Sequence, residues 1–348
     1  MASAASVATA TPRLASRHRA RAPSRAIRRA AAIAASTNAS DDDVATSACR
    51  DDPTVSREDR AHVVLGAGGR TGTEIVKRLV RNGANVRACT RSGAFDAAAA
   101  TSAPWSSTLV TRCACDVAAG AAGVAAAVAG ADVVYFAATA SASGDPDAVD
   151  RDGVVDVARA CVENDVRRLV LVSGAGVTKR EAPAYGFLNA FGGRMDAKAA
   201  GEDGLRAVYQ STAAVERGCT YTIVRPSGLL DGDAKGAASL AVNQGDEVAG
   251  FITRADAAAA CVEAAESANC ANRTFEVYER GTAVATATLS IADILSDRTL
   301  AKVVAFAEGV FRRRGGGEGD GVAAEVLTAR EVTSETWEGL FRGLTRDA

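Results

Sequence analysis

Residues 61–92 read AHVVLGAGGRTGTEIVKRLVRNGANVRACTRS, and this stretch decides the fold. It opens on a short apolar run, Val63-Val64-Leu65, with the character of a strand. A glycine-rich turn follows, Gly66-Ala67-Gly68-Gly69-Arg70-Thr71-Gly72, and then Ile75, Val76, Leu79 and Val80 recur at helical spacing. Asn82-Gly83 stops the helix, and Asn85 to Thr90 begins a second strand. Strand, tight turn, helix, strand is the first half of a dinucleotide-binding βαβ unit. A helix N-terminus offers unpaired N–H groups and the positive end of its dipole to a pyrophosphate. Side chains at the turn would keep the backbone away from the phosphates, hence the glycines. The six-residue glycine pattern fails because its last place is Thr71, whereas the pattern spaced three and three fits at Gly66, Gly69 and Gly72. The glycines alone would serve any tight turn; the strand before them and the helix after them favour the nucleotide.

The end of the second strand speaks to the cofactor. An NAD site usually carries an acid there for the ribose 2′-OH. Val86 to Ser92 holds no acid, and Arg91, with Arg70, offers guanidinium groups suited to a 2′-phosphate. The expectation is NADP(H) in preference to NAD, the alternative being two ordinary solvated arginines.

Outside this unit the chain divides by composition. Residues 1–40 contain no Asp or Glu and seven arginines in an Ala/Ser/Thr-rich background, the signature of an organelle transit peptide. The Met1-Ala2-Ser3 start favours a chloroplast presequence over a mitochondrial one. Expected boundaries are a transit peptide over 1–45, a linker over 46–60, a nucleotide-binding domain over 61–280 and a helical extension with a Gly-rich linker over 281–348. Removing the seven arginine charges takes the formal net charge of −2 to −9, which argues against general nucleic-acid binding. The run at 121–140 is mostly alanine and includes Asp132, so it reads as a helix and a buried strand, with no membrane span expected. The 8 cysteines form no C-x-x-C pair and only 2 histidines accompany them, so no metal site is expected. Most cysteines read as small buried apolar residues, and nothing in their spacing argues for redox regulation.

Along the chain, strands are expected near 108–115, 132–137, 168–172, 220–224 and 274–278, with helices near 118–129, 146–164, 195–217 and from 253 onward. Thr253-x-x-Asp256 has the spacing of a capping box, so Asp256 reads as structural. Residues 291–310 read as one or two helices, and 334–344 as a short amphipathic helix with Trp337, Leu340 and Phe341 on its apolar side. That tail suits docking on the domain or on a protein partner. Such alternation of strand and helix demands an α/β fold with a doubly wound parallel sheet.

The segments VVLGAGGRTG (63–72), VRACTRS (86–92), CDV (115–117), ADVVYFAAT (131–139), RRLVLVSG (167–174), YTIVRP (221–226) and ITRADAA (252–258) together resemble an atypical short-chain dehydrogenase/reductase. The resemblance covers about residues 61–280 and implies an NAD(P)-binding Rossmann fold with a small C-terminal substrate-side extension. It implies Gly66, Gly69, Arg70, Thr71 and Gly72 at the pyrophosphate, Arg91 at the 2′-phosphate, Asp116 and Val117 beside the adenine, and Ala137 and Ala138 along the cofactor. Ser173 matches the serine after the fifth strand. Where active family members place Tyr-x-x-x-Lys, this chain reads Arg194-Met195-Asp196-Ala197-Lys198. Lys198 retains a candidate role at the nicotinamide ribose and, with Ser173, in catalysis; a solvated helix lysine is the alternative. Tyr185, expected on a loop beside Pro183 and Gly186, is a second approach to the pocket.

Two functions follow. One is an NADPH-dependent oxidoreductase acting on a small carbonyl, quinone or enone; the other is a non-catalytic NADP(H)-binding redox sensor or scaffold in the plastid. The missing tyrosine favours the second, and the nucleotide motifs are neutral.

Overall fold

A computed structural model describes residues 61–95, 104–190, 192–288 and 331–348. The expected transit peptide, the linker, the helices over 291–310 and the Gly-rich linker lie outside the described residues.

The opening unit forms as its sequence dictates: β1 (Ala61–Leu65), α1 (Arg70–Arg81) and β2 (Asn85–Thr90). β3 (Val110–Ala114), α2 (Ala121–Val128), β4 (Val133–Phe136), α3 (Gly153–Glu163) and β5 (Arg168–Val172) follow. A π-helical turn, Asp147–Asp152, precedes α3. Then come α4 (Pro183–Asn189), α5 (Arg194–Tyr209), α6 (Thr212–Glu216) and β6 (Thr220–Pro226). Short strands β7 (Gly228–Leu230), β8 (Leu240–Asn243), β9 (Val248–Ala249) and β10 (Phe251–Thr253) lead to α7 (Arg254–Glu266) and β11 (Arg273–Glu279). β12 (Val284–Ala285), β13 (Val332–Thr333) and α8 (Trp337–Phe341) complete the described chain.

The main sheet runs β13-β8-β11-β6-β5-β4-β1-β2-β3. From β3 to β11 the strands are parallel, while β8 and then β13 join antiparallel. The order reverses between β1 and β4, the switch point at which α/β sheets bind ligands. Strand residues alternate between two cores. Val64, Tyr135 and Val170 join Ile75, Val76 and Leu79 of α1 and the alanines of α7 on one face. Val63, Leu65, Val134, Phe136 and Leu171 meet Val124, Val157 and Leu205 on the other.

Two expectations change, and four short strands join those expected. The helix expected over 195–217 breaks after Tyr209, because the Ser211 hydroxyl caps a new helix by accepting from the Ala214 N–H at 3.4 Å. Tyr185 lies on a helix, not a loop, since Pro183 starts α4 where its missing N–H costs nothing. β7 to β10 are too short to announce themselves in the sequence.

The C-terminal helix docks on the domain itself. Leu340 and Phe341 are fully buried, with the Phe341 ring 5.4 Å from that of Phe275. No helix among the described residues is long and apolar enough to cross a membrane.

Candidate functional site

β1 gives way to Gly66, whose φ of +79° and tight surroundings both require glycine: a Cβ there would sit 2.6 Å from the Ala138 amide nitrogen. The Gly66 and Ala67 N–H groups donate to the Cys89 carbonyl at 3.1 and 3.0 Å, fastening the turn to β2. A Cβ at Gly72 would collide with the Gly66 carbonyl, and one at Gly69 would lie 3.2 Å from it. The three glycines let the first turn of α1 pack against the end of β1. Gly69 caps α1 without a side-chain hydrogen bond, and the first turn carries no acid, so the helix N-terminus is left to an external anion.

Above this turn lies a cavity of about 420 Å³. Gly66, Gly69, Arg91, Asp116, Val117, Ala137 and Ala138 line it, gathered from the ends of β1, β2, β3 and β4. Arg70, Thr71, Gly72, Ser173 and Lys198 do not. The Arg70 guanidinium turns to Asp231 at 3.8 Å, both side chains largely exposed. Residues 139–149 supply a wall that sequence reading missed, through Thr139, Ser141, Gly144, Asp145, Ala148 and Val149. The missed signal was Ala138-Thr139-Ala140-Ser141, small residues running on from a buried strand. Cys115 also lines the cavity, its thiol pushed up by burial and then by Asp116.

Lys198 and Asp150 form the best-defined polar pair near this wall. Lys198 Nζ donates to Asp150 Oδ1 at 2.8 Å, and Asp150 is 2% exposed. The same carboxylate accepts from the Thr139 hydroxyl at 2.8 Å and the Ala140 N–H at 3.0 Å. Arg194, at the tyrosine place, donates to the Ser141 carbonyl at 3.2 Å. Tyr185 does not substitute for that tyrosine: its hydroxyl donates to Asp196 at 2.6 Å, and burial followed by that bond pushes the phenol up to about 12.

Ser173 stands elsewhere. Its N–H donates to the Val224 carbonyl at 2.9 Å, and its hydroxyl lies beside Glu202. Burial opposes ionisation of Glu202, but Arg225, at 3.0 and 2.6 Å, and then Arg206 hold it below the usual carboxylate range. Arg225 also donates to Glu276 at 3.1 Å. The structure therefore separates the two candidate catalytic residues into different polar networks. Asp256 is structural: it accepts from the Lys235 and Gly236 N–H groups, and its own N–H donates to Thr253.

The tight glycine turn, whose Cβ-free backbone brings the start of α1 against the ends of β1 and β4, and the uncapped, acid-free helix N-terminus fit a dinucleotide pyrophosphate. Comparison with known proteins agrees. The chain is 28% identical over 172 residues to the uncharacterized sugar epimerase YhfK of Bacillus subtilis (strain 168), across 47% of this chain and 71% of that protein. It is 33% identical over 175 residues to an uncharacterized chloroplastic protein of Arabidopsis thaliana, across 48% of this chain and 58% of that one. The chain thus spans less than two thirds of the Arabidopsis relative. The crystal structure of the oxidoreductase ylbE from Lactococcus lactis superposes with a TM-score of 0.51 at 19% identity, over 68% of this chain and 96% of that one, a likeness of fold alone. The sequence model of a family described as NAD(P)H-binding matches residues 66–268, more than half the chain. The chain belongs to that NAD(P)H-binding family.

Proposed function

We propose that the protein is an NADPH-dependent oxidoreductase acting on a small carbonyl, quinone or enone. One observation carries the choice of NADPH: Arg91 lies on the cavity wall where β2 ends, and β2 brings no carboxylate there. The bound cofactor supplies the hydride. The chain's own residues bind and orient. The Gly66–Gly72 turn and the start of α1 hold the pyrophosphate, Arg91 the 2′-phosphate, and Asp116 and Val117 flank the adenine. Asp150 fixes Lys198 at the nicotinamide-ribose end, beside the Thr139–Ala140 wall. A substrate whose anion is stabilised by Lys198 or Arg194 does not need the missing tyrosine, and Ser173, held in the Glu202 network, takes no part in this reading. The Bacillus relative carries the name of an uncharacterized sugar epimerase; Arg91, at the 2′-phosphate position, favours instead a nucleotide that serves as a reductant.

The second reading, a non-catalytic NADP(H)-binding sensor or scaffold, is favoured by the commitment of both candidate proton donors: Lys198 to Asp150, and Tyr185 to Asp196. Steady-state NADPH oxidation with quinones, aldehydes and enones separates the two. Turnover on any acceptor supports the reductase; tight NADPH binding without turnover on all of them supports the sensor.

A plastid location is supported by the acid-free, arginine-rich start and by the chloroplastic relative. Residues 1–60 fused to a fluorescent reporter should enter plastids; a reporter left in the cytosol would contradict this.

A further inference from the structure

β2 and β3 bring Cys89 and Cys113 together as register partners, with Cα atoms 4.8 Å apart and the sulfurs joined. The cysteines are 24 residues apart in sequence, across a connection that no spacing rule would have matched. Their surroundings matter more than the bond. The Cys89 carbonyl is the acceptor for both Gly66 and Ala67, so it holds the phosphate turn in place. The residues that follow each cysteine, Thr90 and Arg91 on one strand, Cys115 and Asp116 after the other, line the nucleotide cavity. Access is one-sided: Cys89 is fully buried, whereas Cys113 is partly exposed on the outermost strand. Cys115, Cys161, Cys261 and Cys270 are free and buried, and burial raises each of their thiols, which makes them poor competitors.

We propose that Cys89 and Cys113 form a reversible thiol–disulfide site that tunes the affinity of the adenosine end for NADP(H), with a dithiol/disulfide couple as its exchange partner. This rests on the nucleotide reading above. In oxidation, the Cys113 thiolate attacks a disulfide oxidant and expels one of its two thiolates. The Cys89 thiolate then displaces the other from Cys113. One S–S bond forms in the protein and one breaks in the oxidant; two electrons pass to the oxidant, whose thiolates take up the two protons the cysteines release. A dithiol reverses the sequence, entering at the accessible Cys113 sulfur. Two thiols cannot approach as closely as two bonded sulfurs, so reduction obliges the strand ends to part or the side chains to turn. The Cys89 carbonyl, and with it the phosphate turn, is loosened. The oxidised form therefore holds the nucleotide more tightly.

Two measurements on the full chain test this. After treatment with oxidised glutathione, a non-reducing tryptic digest should contain Ala88–Arg91 linked to the peptide that begins at Cys113. That link should vanish in Cys113→Ser and persist in Cys115→Ser. Calorimetry should then show NADPH binding about fivefold or more weaker in the dithiothreitol-reduced protein than in the oxidised one, the lower end of ordinary coupling between sites. Cys113→Ser should bind equally under both conditions. Absence of the linked peptide overturns the site, and a linked peptide with equal affinities overturns the coupling. A linked peptide with no NADPH binding in either state overturns the coupling together with the nucleotide reading beneath it. The oxidised-against-reduced comparison uses the unaltered chain, so it stands even if a variant does not fold.

Discussion

Lys198 Nζ lies 2.8 Å from Asp150 Oδ1, and that carboxylate also takes the Thr139 hydroxyl and the Ala140 N–H. One buried group thus joins α5 to the strand-end loop along the cavity. Truncating it leaves an ammonium, a hydroxyl and an amide without their acceptor. Asp150→Ala is expected to lower stability by about 3 kcal/mol, as when one partner of a buried pair is removed. Urea unfolding measures it; a loss near zero would mean that solvent replaces the carboxylate.

Arg91 has no carboxylate from β2 beside it on the cavity wall. Charge-assisted bonds to a 2′-phosphate contribute roughly 1.5–3 kcal/mol, so Arg91→Ala should weaken NADPH by about tenfold or more and leave NADH nearly unchanged. Competitive titrations with both nucleotides decide it. Equal losses would remove the preference for NADPH.

Gly72 reverses an ordinary rule. Alanine in place of a helical glycine usually stabilises by about 1 kcal/mol. Here the added Cβ meets the Gly66 carbonyl, so Gly72→Ala should destabilise by about 2 kcal/mol or more and abolish tight NADPH binding. A more stable variant that binds normally would show that the turn can yield.

Glu276 sets a pH dependence. Burial, partly offset by Arg225 and reinforced by Asp246, pushes its carboxyl from 4.5 up to about 7. Between those values the unfolded chain has lost the proton that the folded chain still holds, so this group erodes stability as pH rises and adds nothing further above pH 7. Glu202 has the opposite sign, since its carboxyl is held below 4.5 and its contribution is lost as pH falls through that lower value. Glu276→Gln should therefore gain on the parent across this window, by on the order of 2 kcal/mol. Urea melts at stepped pH measure the difference; a flat difference would contradict it.

Asp347 fastens the C-terminus. It accepts from the Thr274 N–H at 3.0 Å, the Thr274 hydroxyl at 2.6 Å and the Tyr221 hydroxyl at 2.9 Å. Asp347→Ala should lower stability by about 1–3 kcal/mol with NADPH affinity unchanged. A parallel loss of affinity would show that this end of the sheet communicates with the cavity.

The βαβ unit was legible because each of its signals is local: an apolar run, glycines at fixed spacing, and a helical stripe ended by Asn82-Gly83. The cavity residues at the strand ends followed from that frame, and Arg91 needed only the end of β2. What escaped depends on contacts between distant segments. Asp150 looks like any helix acid until the π-helical turn aims it at Lys198, 48 residues on. Cys89 and Cys113 become neighbours only when β3 pairs with β2. β8 is four residues long, and its place between β11 and β13 is set by the sheet, not by its own pattern. That Ser173 joins the Glu202 network and Lys198 the Asp150 network was likewise invisible, because both simply follow family positions.

The most direct measurement is isothermal titration calorimetry of the purified protein with NADPH and with NADH. One site per chain is expected, with NADPH held more tightly. No binding heat with either nucleotide would contradict the account at its root, because the glycine turn and the bare start of α1 would then hold no pyrophosphate.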